Sequence, residues 1–313
     1  MSRFYSRFTR RFAVLGDNLR GSLLMMLAMG AFVVNDTFVK LASDDMHPAQ
    51  IMAVRGVMAT GLLYLLARSR KAQRPLRDML QPSVMLRAGA DILATITYIL
   101  GLANLPIANA SAIFQALPLT VTLGAALFLR EPVGWRRWLA IMIGFAGVLI
   151  VVQPGADGFN VYALCVLASV VFAGTRDLVT RTMPRTLSAL FVSTTTSLLV
   201  TLTGWVILPF VGWSDMHVTD WAHLCCAAVA IIIGYIAIVE AMRIGDMGVV
   251  APFRYSVLIY ALLIGFVVFG DVPGLTVLFG ASIIVGSGFY TLYRERVRGG
   301  SIAAKASVHT KTV

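Results

Sequence analysis

The sequence predicts an all-α integral membrane protein: ten transmembrane helices arranged as two inverted five-helix repeats. Three observations lead there. The 313 residues are 58% hydrophobic and 13% charged, where a soluble domain holds ~45–50% apolar and about 25% charged residues. Ten stretches approach the ~20 apolar residues that a helix needs to cross about 30 Å of hydrocarbon. Polar residues inside those stretches recur at an offset of about 140 positions. This composition excludes a disordered chain, a collagen-like chain and a coiled coil, and it argues against a water-soluble enzyme.

The expected spans are residues 21–42, 48–67, 84–103, 108–129, 135–153, 159–181, 187–211, 220–242, 249–269 and 273–293. Backbone in lipid has to satisfy its own hydrogen bonds, so these are helices. The alternating pattern of a membrane β-strand is missing. The links are short and carry turn residues, as in Asp44-Asp45-Met46-His47-Pro48 and Gly270-Asp271-Val272-Pro273-Gly274. None is long enough to be a soluble domain.

The net charge of +11 reads as topology, and no nucleic-acid partner is expected. Of the 26 Lys and Arg, 21 fall in the N-terminal arm, the even-numbered loops and the C-terminal tail. The odd-numbered loops carry Asp44, Asp45, Asp157, Asp215, Asp220 and Asp271 instead. Cytoplasmic loops collect Lys and Arg, so both termini are expected in the cytoplasm. Thr9-Arg10-Arg11-Phe12 resembles an export signal, but Asp36 and Lys40 do not suit a cleaved segment, and the first span is read as kept. Cys165, Cys225 and Cys226 lie in apolar runs without ligand spacing, so neither a disulfide framework nor a metal site is expected.

The repeat rests on four matches, one of them the four-residue spacing of Ala140 and Gly144 in the fifth span and of Ser282 and Gly286 in the tenth. Asn35-Asp36 with Lys40 late in the first span corresponds to Arg176-Asp177 with Arg181 late in the sixth. Ala112-Ile113-Phe114-Gln115 in the fourth corresponds to Ala251-Pro252-Phe253-Arg254 in the ninth. Glu131 ahead of Gly134 corresponds to Asp271 ahead of Gly274. The chain then divides into a basic cytoplasmic arm (1–20), a first repeat (21–153), a second repeat (154–293) and a cytoplasmic tail (294–313). Five spans is an odd number, so the second half enters the membrane from the opposite side. Inverted repeats of this kind belong to secondary transporters, with the substrate site near the midplane.

Charges left inside the spans point to that site. A charge at the bilayer centre costs at least ~2.5–3.5 kcal/mol, so such residues face a cavity or a partner. Arg254 sits about six residues into the ninth span, and Pro252 beside it frees a backbone carbonyl and kinks the helix. An arginine between Phe253 and Tyr255 suits an anionic or planar ligand, by charge or by stacking. Gln115, ahead of Pro118, takes the corresponding place in the fourth span. Arg55 is expected to pair with Asp36 near an outer gate, and Arg176 to lie nearer an inner one. Tyr98 and Tyr255 complete the substrate-binding candidates. Lys40 and Arg87 are read as snorkelling to an interface. Ala140, Gly144 and Gly147, with Ser282 and Gly286, form small-residue faces that would hold helices or a homodimer together.

Enzyme signatures are missing. His47, His217, His223 and His309 have no HExxH spacing, and there is neither a GxSxG elbow nor a Walker lysine. No catalytic residue, cofactor or metal is expected. A filter-like repeat is also absent, which argues against a channel.

Two segments carry a family resemblance. One runs from Tyr98 through Leu129-Arg130-Glu131-Pro132 to Gly144-Phe145-Ala146-Gly147-Val148 and Gln153-Pro154; the other is Gly248-Val249-Val250-Ala251-Pro252-Phe253-Arg254-Tyr255. Together with the five-plus-five organisation they resemble the EamA-type drug/metabolite transporter superfamily. Within it, Asn35-Asp36 with Lys40 and the run at 251–255 are most similar to the bacterial branch of riboflavin and S-adenosylmethionine uptake carriers. The resemblance implies a bacterial inner-membrane carrier working by alternating access, with a small-molecule substrate, riboflavin first. S-adenosylmethionine import and export of amino acids or aromatic metabolites are the alternatives. An intramembrane enzyme or a structural membrane subunit stands further off. Asp271 replaces the glutamate usual at that point of the second half, so the role of Glu131 need not be duplicated.

Overall fold

The structure, a computed structural model, describes residues 16–70, 72, 74–131, 134–154, 160–184, 186–244 and 247–309. The first fifteen residues of the basic arm, with the Arg10-Arg11 pair, and the expected start of the sixth span at 159 lie outside the described residues.

All ten spans are helical. The first three are Asp17–Ala42, Pro48–Ser69 and Pro82–Asn104. The fourth is broken into Ile107–Phe114 and Leu117–Phe128. The fifth to eighth are Trp135–Val152, Tyr162–Thr182, Ala189–Val211 and Val218–Ile244. The ninth is also broken: Met247–Val250, a 3₁₀ turn at Ala251–Tyr255, then Ser256–Phe269. The tenth starts at Leu275 and runs on to His309, well past the expected end at residue 293. Nine of the spans are long and apolar enough to cross a membrane, and the tenth holds an apolar stretch at Leu275–Thr291. The protein is a multi-pass membrane protein.

Local chemistry sets the ends. Pro48 and Pro82 open the second and third spans at positions where a missing N–H costs nothing. His47 Nδ1 accepts from the Ala49 amide at 3.2 Å, and the Ser188 hydroxyl accepts from Phe191 at 3.4 Å, each satisfying an orphan donor of a helix N-terminus. Gly270 closes the ninth span at φ 69°, a left-handed value that glycine adopts without a Cβ clash.

Helix packing runs across the two halves. The first span packs on the eighth and the sixth on the third; the second packs on the seventh and the fifth on the tenth. Swapping halves maps this pattern onto itself. The fourth span packs on the sixth as the ninth packs on the first. The compact groups are therefore 3-4-6 and 1-8-9, each drawing on both halves, so the halves do not form separate bodies. The main core mixes them as well, setting Ile51, Leu102, Ile113 and Val148 with Val166, Leu224 and Ile284.

Close backbone approach occurs where side chains are smallest. A Cβ on Gly147 would stand 2.9 Å from the Gly280 carbonyl oxygen, and one on Gly280 would stand 2.8 Å from that of Gly147. Gly144 and Gly147 thus act as expected, but the tenth span answers with Gly280 and Ser287. Gly286 has nothing within 4 Å, and Ser282 is exposed with its hydroxyl on its own Leu278 carbonyl. The helix is rotated relative to the expected face.

The two faces differ in kind. On the face of the Arg-rich loops, Arg74 donates to the Thr186 carbonyl at 2.6 Å and Arg181 lies 3.5 Å from Glu131. On the opposite face, Gln50 is fully buried and exchanges two hydrogen bonds with the Ser214 backbone at 2.8 and 2.9 Å. There Lys40 does not snorkel. Its Nζ donates to the Leu102 and Leu105 carbonyls at 3.0 and 2.6 Å and lies 5.5 Å from the Phe269 ring centre. The carbonyls at the end of the third span lack helical partners, and an ammonium there satisfies them while opposing the helix dipole.

Candidate functional site

The two broken spans meet at their breaks. Pro118 has no N–H to give the Phe114 carbonyl, and the fourth span interrupts at Gln115-Ala116. In the ninth span Pro252 has no N–H either, and the chain tightens to a 3₁₀ turn at Ala251–Tyr255. These breaks turn Gln115, Arg254 and Tyr255 toward one cavity of about 110 Å³, walled by Phe114, Leu117, Pro118 and Ala251. Three of the expected site residues are thereby brought together.

Their polar atoms are unpaired. Gln115 Nε2 and the Tyr255 hydroxyl are buried without a hydrogen-bond partner, as is Ser256 Oγ next to them. Arg254 makes no hydrogen bond or ion pair among the described residues, although Asp177 lies across a neighbouring cavity and acts on its charge. Tyr255 is held by stacking on Phe289, ring centres 5.2 Å apart, and its hydroxyl occupies the space that a side chain at position 288 would fill. Buried polar groups in a folded protein are normally satisfied, so an orphaned trio around one cavity is the mark of a binding surface.

Arg254 also lines a second cavity of about 210 Å³ with Glu131, Arg137, Asp177, Arg181, Gly288 and Thr291. Those residues lie toward the Arg-rich face. Both carboxylates there are engaged elsewhere: Asp177 with Arg176 Nε at 2.9 Å, Glu131 with Arg181 at 3.5 Å.

Arg55 and Arg176 line a third cavity of about 150 Å³, with Arg87, Asp91, Ser193, Thr196, Ser197 and Tyr235. Sequence reasoning set these two arginines at different gates; they line one space. Arg176 bridges Asp91 at 2.8 Å and its own neighbour Asp177 at 2.9 Å. Arg55 does not pair with Asp36 directly. It donates to Asn35 Oδ1 at 2.9 Å, and Asn35 Nδ2 donates to Asp36 Oδ1 at 2.9 Å. The amide stands between them because its two ends match a donor and an acceptor. Tyr98 donates to Asp36 Oδ2 at 2.7 Å, and its ring packs 5.0 Å from that of Phe114. Asp36 and Tyr98 thus form a knot that joins the two site regions and line none of these cavities.

Arg87, set aside as a snorkelling residue, instead donates to Thr180 at 2.9 Å and to Thr196. The hydroxyls around it come from Ser193, Thr196 and Ser197 of the run Ser193-Thr194-Thr195-Thr196-Ser197. That run of five hydroxyl residues inside an apolar span was the available signal for this cavity, and charge counting passes over it.

Known proteins align with this arrangement. The sequence profile of the EamA-like transporter family matches residues 19–153 and again residues 160–293. A riboflavin transporter of Vibrio cholerae is 28% identical over 274 residues, 85% of this chain and 91% of that protein. The pseudopaline exporter CntI of Pseudomonas aeruginosa is 28% identical over 269 residues, 85% of this chain and 93% of the other. An S-adenosylmethionine uptake transporter of Rickettsia bellii is 25% identical over 287 residues, 87% and 92% of the two chains. A protein crystal structure shares the fold at TM-score 0.63 and 16% identity, covering 88% of this chain and 98% of that one. With both halves matched and the two breaks facing each other, the chain belongs to the EamA-like transporter family.

Proposed function

We propose that this protein is a secondary carrier of the bacterial cytoplasmic membrane that takes up riboflavin by alternating access, with both termini in the cytoplasm. The observation that carries the reading is the trio of Gln115, Arg254 and Tyr255, unpaired around one cavity at the breaks of the fourth and ninth spans. Broken spans at a repeat interface are where carriers hold their substrates. A flavin ring is planar and edged with carbonyls. Phe114 and Tyr255 supply flat apolar surface, and the amide, guanidinium and phenol supply donors. The riboflavin transporter of Vibrio cholerae aligns across this whole region. Arg55 and Arg176 line the neighbouring cavity, and Asp36 and Tyr98 brace Arg55 from outside it through Asn35. The moving bodies in this reading are the mixed groups 3-4-6 and 1-8-9, with Lys40 closing the face opposite the Arg-rich loops. No covalent chemistry is involved, and the protein is not an enzyme.

The test is uptake of labelled riboflavin by a bacterial strain that neither makes nor imports it, with and without this protein. Saturable uptake, competed away by unlabelled flavin and reduced at least about tenfold in Arg254→Ala at equal protein level, is the expected result; a charge-assisted contact is worth that much. No uptake with protein in the membrane would sink the riboflavin reading. It would move the substrate to S-adenosylmethionine import, then to export of amino acids or aromatic metabolites.

A further inference from the structure

The chain has five cations inside its spans: Lys40, Arg55, Arg87, Arg176 and Arg254. Four are engaged. Lys40 holds two backbone carbonyls, Arg55 holds Asn35, Arg87 holds Thr180 and Thr196, and Arg176 holds Asp91 and Asp177. Charge balances around the larger cluster as well, where Arg55, Arg87 and Arg176 face Asp36, Asp91 and Asp177. Arg254 is left over, with no hydrogen bond or ion pair among the described residues.

The missing partner has a definite chemistry. A guanidinium carries five N–H donors, has no acceptor and does not shed its proton in proteins. Unlike a lysine, Arg254 therefore cannot adapt to burial by becoming neutral. The orphaned atoms around it, Gln115 Nε2 and the Tyr255 hydroxyl, are donors too. Three side chains that can donate line one cavity, and the guanidinium among them forms no ion pair with a described residue. Asp177 and Glu131 share a cavity with Arg254 and give one oxygen each to other arginines, at 2.9 and 3.5 Å, and neither forms an ion pair with Arg254 itself. Arg254 lines both the 110 Å³ cavity and the 210 Å³ cavity, so a group bound to it has room on either side. Planar oxyanions match a guanidinium through two parallel hydrogen bonds.

We propose that Arg254, Gln115 and Tyr255 form an anion subsite, so that the carrier accepts metabolites bearing a carboxylate or phosphate group and prefers them to neutral or cationic analogues of the same skeleton. The proposal rests on the carrier reading and names the charge class of its cargo. It does not depend on that cargo being a flavin. Protein in lipid nanodiscs is titrated at constant ionic strength with riboflavin and with riboflavin 5′-phosphate, which share one ring system and differ in charge. The phosphate is expected to bind about tenfold more tightly, the scale of one charge-assisted hydrogen bond. Arg254→Gln should weaken both flavins and bring their affinities together by weakening the phosphate more, and Arg254→Lys should keep part of the difference. Equal binding of the two flavins to the unaltered protein, or a preference that survives Arg254→Gln, overturns the subsite. A second pair, benzoate against benzyl alcohol, is read as thermal stabilisation of the unaltered protein and of Arg254→Gln. Neither flavin binding, with stabilisation by benzoate that Arg254→Gln removes, would sink the flavin reading and keep the subsite. No stabilisation by benzoate in the absence of flavin binding would sink both.

Discussion

Single residues around the breaks are decided by fit as much as by charge. Tyr255 is 6% exposed, stacks on Phe289, and places its hydroxyl over the bare Cα of Gly288. Adding a methyl group there forces the ring to move, and overpacking of this kind costs about 1–3 kcal/mol. Gly288→Ala is therefore expected to lower both thermal stability and transport. Tyr255→Phe in the same chain removes the nearest crowding atom and should recover part of the lost stability, since the ring carbon behind it would still stand 2.6 Å from the added methyl, while transport stays low because a donor of the site is gone. If the double variant melts no higher than Gly288→Ala alone, the steric account fails. The gap between Asp36 and Arg55 is decided at the same scale. A carboxylate and a guanidinium at similar depth look like a pair in sequence, yet Asn35 sits between them, at 2.9 Å from each.

At the scale of elements, the fifth and tenth spans touch backbone to backbone at Gly147 and Gly280. A helix pair this close has no side-chain layer that can relax. Gly147→Ala should destabilise by about 1–3 kcal/mol, seen as a lower melting temperature in detergent. Gly286→Ala, where nothing lies within 4 Å, should melt with the unaltered protein. A loss in Gly286→Ala as large as in Gly147→Ala would contradict this packing. Repeat-related positions are also filled unequally. The first half has amides at Asn35 and Gln115 where the second has Arg176 and Arg254. Amide and guanidinium are both planar donors, but only one carries charge, so a site with two-fold related walls is electrically one-sided.

For the whole molecule, the cross-half packing of the first span on the eighth and the third on the sixth means that motion cannot separate the repeats as units. The end opposite the Arg-rich loops is drawn together by Lys40, which joins the first span to the carbonyl end of the third and faces Phe269 of the ninth. These spans belong to both compact groups. Lys40→Met removes two hydrogen bonds made by a charged donor, each worth about 1.5–3 kcal/mol, and should loosen this end. The measurement is labelling of Leu105→Cys, at a site only 4% exposed, by a membrane-impermeant maleimide added from that face. Cys165, Cys225 and Cys226 are first replaced by alanine. Labelling should be several-fold faster with Lys40→Met; equal rates would show that Lys40 does not hold this end shut.

Sequence by itself determined the ten helices, the sidedness of the basic loops along the chain, the kink beside Pro252, and the short inventory of charges inside the spans; the break ahead of Pro118 came from the structure. What sequence determined follows from properties carried residue by residue: hydropathy over about 20 positions, the missing N–H of proline and the cost of an ion in hydrocarbon. Tertiary structure decided which spans pair across the halves, that Lys40 caps the third span, that Arg55 meets Asn35, and that Arg55 and Arg176 share a cavity while Arg254 lines two others. Those outcomes depend on how each helix is turned about its own axis and how deeply it sits against its neighbours. One residue of rotation moves a side chain by about 100°, and the hydrophobic pattern of a lipid-facing helix constrains that angle weakly. Packing at glycines such as Gly147 and Gly280, where one added carbon would collide with backbone, fixes the rotation of the fifth and tenth spans, and the breaks in the fourth and ninth bring the unpaired donors to a common space.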